Sequence, residues 1–217
     1  MKKFLLSATV LVALFSSAMA QSEKYVKAMQ DRIVAVDTTH GTQNLLDLSA
    51  AFERIADAEK TQWQPYYYAA LTQVDAALMM NMQKAGASKT DPMADKAEAL
   101  LGKAEALAKD NSEIFVVKKM IANLRMMADP MNRYMTYGPQ GAQALEMAKS
   151  LNPTNPRVTL LEAEDKFFTP EQFGGSKSEA KRLFEDALKK YEAFKPATSL
   201  DPVWGKPTVQ YFLNQIK

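Results

Sequence analysis

Cysteine is absent from the 217 residues, so no disulfide braces the fold and no thiolate is at hand as nucleophile or metal ligand. Histidine occurs once, at His40 beside Gly41 in a polar stretch, which reads as an exposed loop residue. A zinc site draws on several His or Cys ligands, and no Asp-rich loop has the spacing of a calcium-binding hand. No metal or other cofactor is therefore expected. Alternation of apolar and polar residues is nowhere long enough to argue for a strand. Excess charge is missing too: 27 Lys and Arg face 25 Asp and Glu, and the surplus is accounted for by Lys2 and Lys3. A chain balanced in this way lacks the basic footprint of a nucleic-acid binder and has nothing to hold it on anionic lipid.

The apolar run that does exist lies at the start. Lys2 and Lys3, the stretch Phe4 to Phe15 and the small-residue site Ala18-Met19-Ala20 read as a secretory signal peptide cleaved after Ala20. The run is shorter than the ~20 residues of a membrane span. The expected product is Gln21 to Lys217, a single α-helical domain in the periplasm or the medium, with no membrane insertion after cleavage. Without cysteine its stability must come from burial, and a domain of about 150 residues already buries roughly two-thirds of its unfolded surface.

Helical periodicity runs through the rest. Val26, Met29, Ile33 and Val36 mark a first helix, and Leu45, Leu48, Phe52 and Ile55 a second, with Thr42 as its N-cap. Pro65 suits the first turn of a third, with Tyr67, Ala70, Leu71, Val74, Ala77 and Leu78 on its stripe. Asp91-Pro92 reads as the start of a fourth helix, carrying Ala97, Leu100, Leu101, Ala104, Leu107 and Ala108. Ile114, Val117, Ile121, Leu124 and Ala128 mark the fifth. Asn132, Gly138 and Pro139 predict an irregular segment over Met131 to Gly138, and the sixth helix is expected from Pro139 to Leu151. Asn155-Pro156 opens the seventh, with Leu160, Ala163 and Phe167, and Thr169 to Gln172 reads as a single turn. Ser176 and Glu179 have capping-box spacing ahead of Ala180, Leu183, Phe184, Ala187, Leu188, Tyr191 and Phe194. A loop with Asp201, Pro202, Trp204 and Gly205 leads to a last helix with Val209, Phe212, Leu213 and Ile216.

One spacing recurs. Ala97, Leu101 and Ala104 are matched by Gly141, Leu145 and Ala148, by Ala180, Phe184 and Ala187, and less well by Leu48, Phe52 and Ile55. Small residues admit a neighbouring helix while the large one fills the gap between ridges. These are second-helix features of a tetratricopeptide repeat, and the stretch QALEMAKSLNPTNP resembles that family most clearly. Phe52, Leu101, Leu145 and Phe184 are separated by 49, 44 and 39 residues, against about 34 in a regular array. First-helix signatures are mostly missing, although Tyr67, Ala70, Leu71 and Val74 approximate one. The resemblance implies an all-α, right-handed stack of helical hairpins, a TPR-like α-solenoid, closed by a C-terminal capping helix to which Trp204 contributes.

It also implies a function. In that family the first helix of each hairpin lines a concave surface that holds peptides, and here those helices would begin near Lys24, Pro65, Ser112 and Asn155. Their faces away from the core stripe carry Tyr68, Thr72, Asp75, Lys119, Asn123 and Glu162, the candidate partner-binding residues. The expectation is a non-catalytic scaffold that recruits another protein or peptide segment. The alternative is a small-ligand or metal carrier. It would use the methionines (Met79, Met80, Met82, Met120, Met126, Met127, Met131, Met135) or the aromatic run Trp63, Tyr66, Tyr67, Tyr68. Thioethers bind copper(I), but they also fill gaps in helical cores. Three consecutive tyrosines step by about 100° and cannot share one helix face, so Tyr66 or Tyr68 is expected to point outward. Gly174-Gly175 lacks the Lys-Ser/Thr of a phosphate loop and reads as a chain break. Glu53, Asp57, Glu98, Glu105, Glu162, Glu164 and Asp165 read as solvated charges on helix faces rather than a catalytic pair.

Overall fold

Side-chain caps decide where three of the helices begin. The carboxamides of Asn111 and Asn155 accept from the backbone N–H of Glu113 (2.9 Å) and Arg157 (3.0 Å), and the Ser176 hydroxyl accepts from Glu179 (3.2 Å). Each satisfies one amide that the first helical turn leaves without a carbonyl. The computed structural model describes residues 23–216, so the expected signal peptide and its cleavage site lie outside the described residues.

The described residues contain nine α-helices and no strand. They are α1 (Glu23–Ile33), α2 (Thr42–Glu59), α3 (Trp63–Met82), α4 (Ala87–Leu107), α5 (Ser112–Ala128), α6 (Pro130–Leu151), α7 (Pro156–Phe168), α8 (Lys177–Ala193) and α9 (Lys206–Gln215), with a 3₁₀ turn at Glu171–Phe173. Consecutive helices pair as hairpins, α1 with α2 through α7 with α8, and the hairpins stack because α3 packs on α5 and α5 on α7. Phe52, Leu101, Leu145 and Phe184 are all buried, as are Ala97, Ala104, Ala148, Ala180 and Ala187. The recurring small–large–small spacing is therefore the packing seam. At the far end α9 closes the stack, with Phe212 laid on Phe184 at a ring separation of 4.9 Å.

Four expectations are corrected. Thr42 is the first residue of α2 and not its cap, a position held by Gly41 at φ +92°. α4 begins at Ala87, ahead of Asp91-Pro92, and takes Pro92 inside the helix. The segment Met131 to Gly138 is helical: α6 starts at Pro130 and runs through Pro139. Its first half is clamped by a fork from Arg133 to the two carboxylate oxygens of Asp91 (2.6 and 2.7 Å), a charge-assisted pair that outweighs the local preference for a break. Tyr66, Tyr67 and Tyr68 are all buried. They can be, because α3 is enclosed on several sides: Phe52 of α2 stacks on Tyr68 at 5.1 Å, Lys103 of α4 lies over the Tyr66 ring, and the Tyr68 hydroxyl donates to the Leu200 carbonyl.

At the centre sits a charged pair. Arg157, fully buried, donates from Nε and Nη2 to the two oxygens of Glu113, each at 2.8 Å. Asn155 donates to Glu113 Oε1 (2.6 Å) and the Tyr67 hydroxyl to Oε2 (3.0 Å), so each oxygen accepts twice. Trp204 Nε1 in turn donates to Tyr67 (2.8 Å), and the Arg157 guanidinium lies over the rings of Phe194 and Trp204. Burial alone would lower the pKa of Arg157; the charge and hydrogen bonds of Glu113 more than offset that and hold the guanidinium charged. Gly205, at φ +103°, sits where a Cβ would meet the Tyr191 hydroxyl, and its N–H donates to Asp37 at 3.0 Å.

Removing one member of such a pair strands the other charge in the core. Arg157→Met is expected to cost about 3–5 kcal/mol in urea unfolding, and the double change Glu113→Leu with Arg157→Met to recover a large part of that loss.

Candidate functional site

The residues nominated from the sequence do not form one open surface. Tyr68 and Thr72 are buried, and the Thr72 hydroxyl is turned back onto the Tyr68 carbonyl at 2.7 Å. Lys119 is buried as well, with Nζ 2.8 Å from Asp165. Glu162 reaches Lys149 of α6 at 2.7 Å, while Asp75 and Asn123 are half-buried. The first helices are thus more deeply enclosed than a peptide-holding concave face requires. The carboxylates read as solvated are also engaged between helices: Glu53 with Lys96, Glu98 with Arg125, Glu105 with Lys118, Asp165 with Lys119.

Asp75 on α3 has its carboxyl pushed up to about 7 by burial, helped by the charge of Asp37. Glu164 on α7 is pushed up to about 8 by burial, then by Asp165 and Asp75, against the opposing pull of Lys119. Neither gains a cation close enough to hold it ionised in the ordinary range.

A cavity lies elsewhere, between α4, α5 and α6. It is a groove of 710 Å³ whose floor is α5 and whose walls are α4 and α6, within the roughly 300–1,000 Å³ typical of small-molecule sites. From α5 come Phe115, Lys118, Ile121, Ala122 and Arg125; from α4, Glu98, Leu101, Gly102 and Glu105; from α6, Tyr137, Gln140, Gln143, Ala144 and Met147. The gap exists because Gly102, Ala122 and Ala144 bring almost no side chain into it. Gly102 lies in the interior of α4, where glycine costs about 1 kcal/mol relative to alanine. Among the described residues, nothing lies within 4 Å of where its Cβ would be. Packing therefore does not demand glycine there.

Charge in the groove is laid out as a ladder. Lys118 Nζ meets Glu105 at 2.5 Å; Arg125 Nη2 meets Glu98 at 2.8 Å and Asp95 at 2.7 Å. Arg125 also lies over the ring of Tyr137, 6.0 Å from its centroid. The Arg125 side chain is only 13% exposed, against 69% and 68% for Asp95 and Glu98. Carboxylate partners this exposed add about 0–1 kcal/mol each. Neither the cations nor Gly102 was singled out as a site from the sequence. The available signal was the seven-residue spacing shared by Glu98/Glu105 and Lys118/Arg125 on helices joined by a short loop.

The other sequence candidates do not converge. The methionines are spread over α3, α5 and α6, with Met82, Met131 and Met135 strongly exposed. His40 is exposed. Among the described residues no group of three His, Cys, Asp or Glu is placed to hold a metal ion, and no helix is long and apolar enough to cross a membrane.

No family model matches the chain, and no curated protein matches it either. Among solved structures, the HusA haemophore from Porphyromonas gingivalis is similar, at 33% sequence identity and a TM-score of 0.78, with 92% of this chain and 96% of that chain covered. The chain belongs to the HusA haemophore family. The tetratricopeptide resemblance therefore holds at the level of stacked helical hairpins. The reading as a protein-recruiting scaffold is overturned: the relative is named for carrying haem, so the family points to a ligand carrier.

Two outcomes follow from this geometry. Gly102→Ala should raise stability by up to about 1 kcal/mol, read as a higher Tm, because it adds helix propensity without a clash. Carboxyls whose folded pKa is raised favour folding at low pH, and that contribution is lost as pH rises from the unfolded value near 4 through about 7 to 8. Asp75→Asn and Glu164→Gln should therefore raise Tm at pH 8.5 and leave it nearly unchanged at pH 4, in parallel thermal melts.

Proposed function

We propose that this protein is a non-enzymatic carrier of a haem-type tetrapyrrole, exported to the periplasm or beyond, and that the ligand lies in the groove between α4, α5 and α6. The observation that carries the reading is the likeness to a haemophore over nearly the whole of both chains. The groove supports it on independent grounds. Leu101, Phe115, Ile121, Ala122, Ala144 and Met147 offer the apolar lining that a flat macrocycle needs, and Gly102 keeps the space open. Tyr137 and Met147 are the lining side chains of types that serve as axial ligands in haem proteins. When bound, the ligand would supply a coloured, redox-active iron centre; the chain's own part is to shield it, orient it and balance its charge. A carrier hands its cargo on, so the protein partner expected from the sequence becomes the recipient of the ligand.

Titration of the folded protein with haemin, followed at the Soret band, is expected to give saturable binding at one equivalent. Gly102→Phe should weaken it at least tenfold while the Tm stays within a few degrees of the parent, because the new ring projects into the groove and not into the core. Haemin binding that is absent from the parent, or untouched by Gly102→Phe, would sink respectively the ligand class or its placement.

A further inference from the structure

The two cations of the groove are matched to a ligand with two acid groups. Lys118 and Arg125 lie on the same face of α5 and line the groove together. Seven residues separate them, two helical turns, or about 10.5 Å along the axis. Glu105 and Glu98 repeat that spacing on α4 and occupy the two cations. Between the two pairs the surface is apolar or bare, with Leu101 and Gly102 on one helix and Ile121 and Ala122 on the other.

The Arg125 pairs are asymmetric in a way that favours exchange. Arg125 is 13% exposed and has little route to water, whereas its carboxylate partners are about two-thirds exposed and can swing out and hydrate. Lys118 and Glu105 are equally exposed, at 36% and 37%, so this glutamate too has a route into water. Arg125 now donates from Nη2 alone to one oxygen each of Asp95 and Glu98, so an incoming carboxylate would offer its guanidinium a planar, two-point acceptor in their place.

We infer that Arg125 and Lys118 anchor the two carboxylates of the bound ligand, and that Asp95, Glu98 and Glu105 are place-holders that the ligand's acid groups displace. This rests on the carrier reading and adds to it how the ligand is held: a flat apolar body whose two acids are taken by two cations on one helix face. The place-holders keep both cations compensated in the empty groove, and they discriminate against neutral aromatics, which cannot take over the pairs. Binding swaps one set of ion pairs for another, so selectivity comes from the ligand's acids and most of the burial from its ring.

The test compares haemin with its dimethyl ester, which keeps the ring and iron but has no carboxylate. The parent is expected to bind haemin at least tenfold more tightly than the ester. Arg125→Gln and Lys118→Gln should each weaken haemin by about tenfold and leave the ester unchanged. The double variant Asp95→Asn with Glu98→Gln frees Arg125 and should tighten haemin several-fold, a gain that misfolding cannot mimic. Equal affinity for haemin and ester in the parent, or variants that shift both ligands alike, would overturn the anchor while leaving the carrier reading intact. A folded parent that binds neither would overturn both.

Discussion

The pair Glu113–Arg157 is the constraint on which the rest of the stack depends. Two opposite charges held out of water are tolerable only when every lone pair and N–H finds a partner. Meeting that condition brings together residues from α3, α5, α7 and the loop before α9. Tyr67 and Trp204, which complete the set, are 137 residues apart in the chain. A solenoid assembled from nearest-neighbour hairpins alone has no such tie across its length. Here the C-terminal loop is drawn back onto the third helix, and with Gly205 donating to Asp37 it reaches the end of the first hairpin as well.

That closure has a functional corollary. With the first helices wrapped around a buried polar centre, the inner face of the stack is given over to structure. The groove lies where α4 and α6 flank α5 and meet through Asp91 and Arg133. Rigid helices on three sides preorganise the groove, which lowers the ordering cost of binding. Its cations are compensated by carboxylates that remain in reach of water, so the pairs can be exchanged.

Much of the architecture was legible in the residues. The small–large–small spacing located the packing seam of each hairpin, and the Asn and Ser caps stand where the periodicity starts. Short-range signals misled where a tertiary contact outweighed them: Asn132, Gly138 and Pro139 suggest a break, but the Arg133–Asp91 fork holds that segment in α6. The tyrosine run was misread for a related reason. Successive helical residues do point in different directions, yet α3 is enclosed along Gln64 to Val74 and buries each of them there. Of the site, the sequence displayed the ingredients but no grouping, since Gly102, Lys118, Arg125 and Tyr137 belong to three helices.

By itself the sequence determined the class of fold, the number of hairpins and the absence of disulfides. These depend on periodicity and composition, which are local or additive. Only the tertiary structure decided which face of the stack is closed and which is open, because that follows from where Arg157 finds its carboxylate and where glycine and alanine leave a gap between helices. Neither is a property of any one segment.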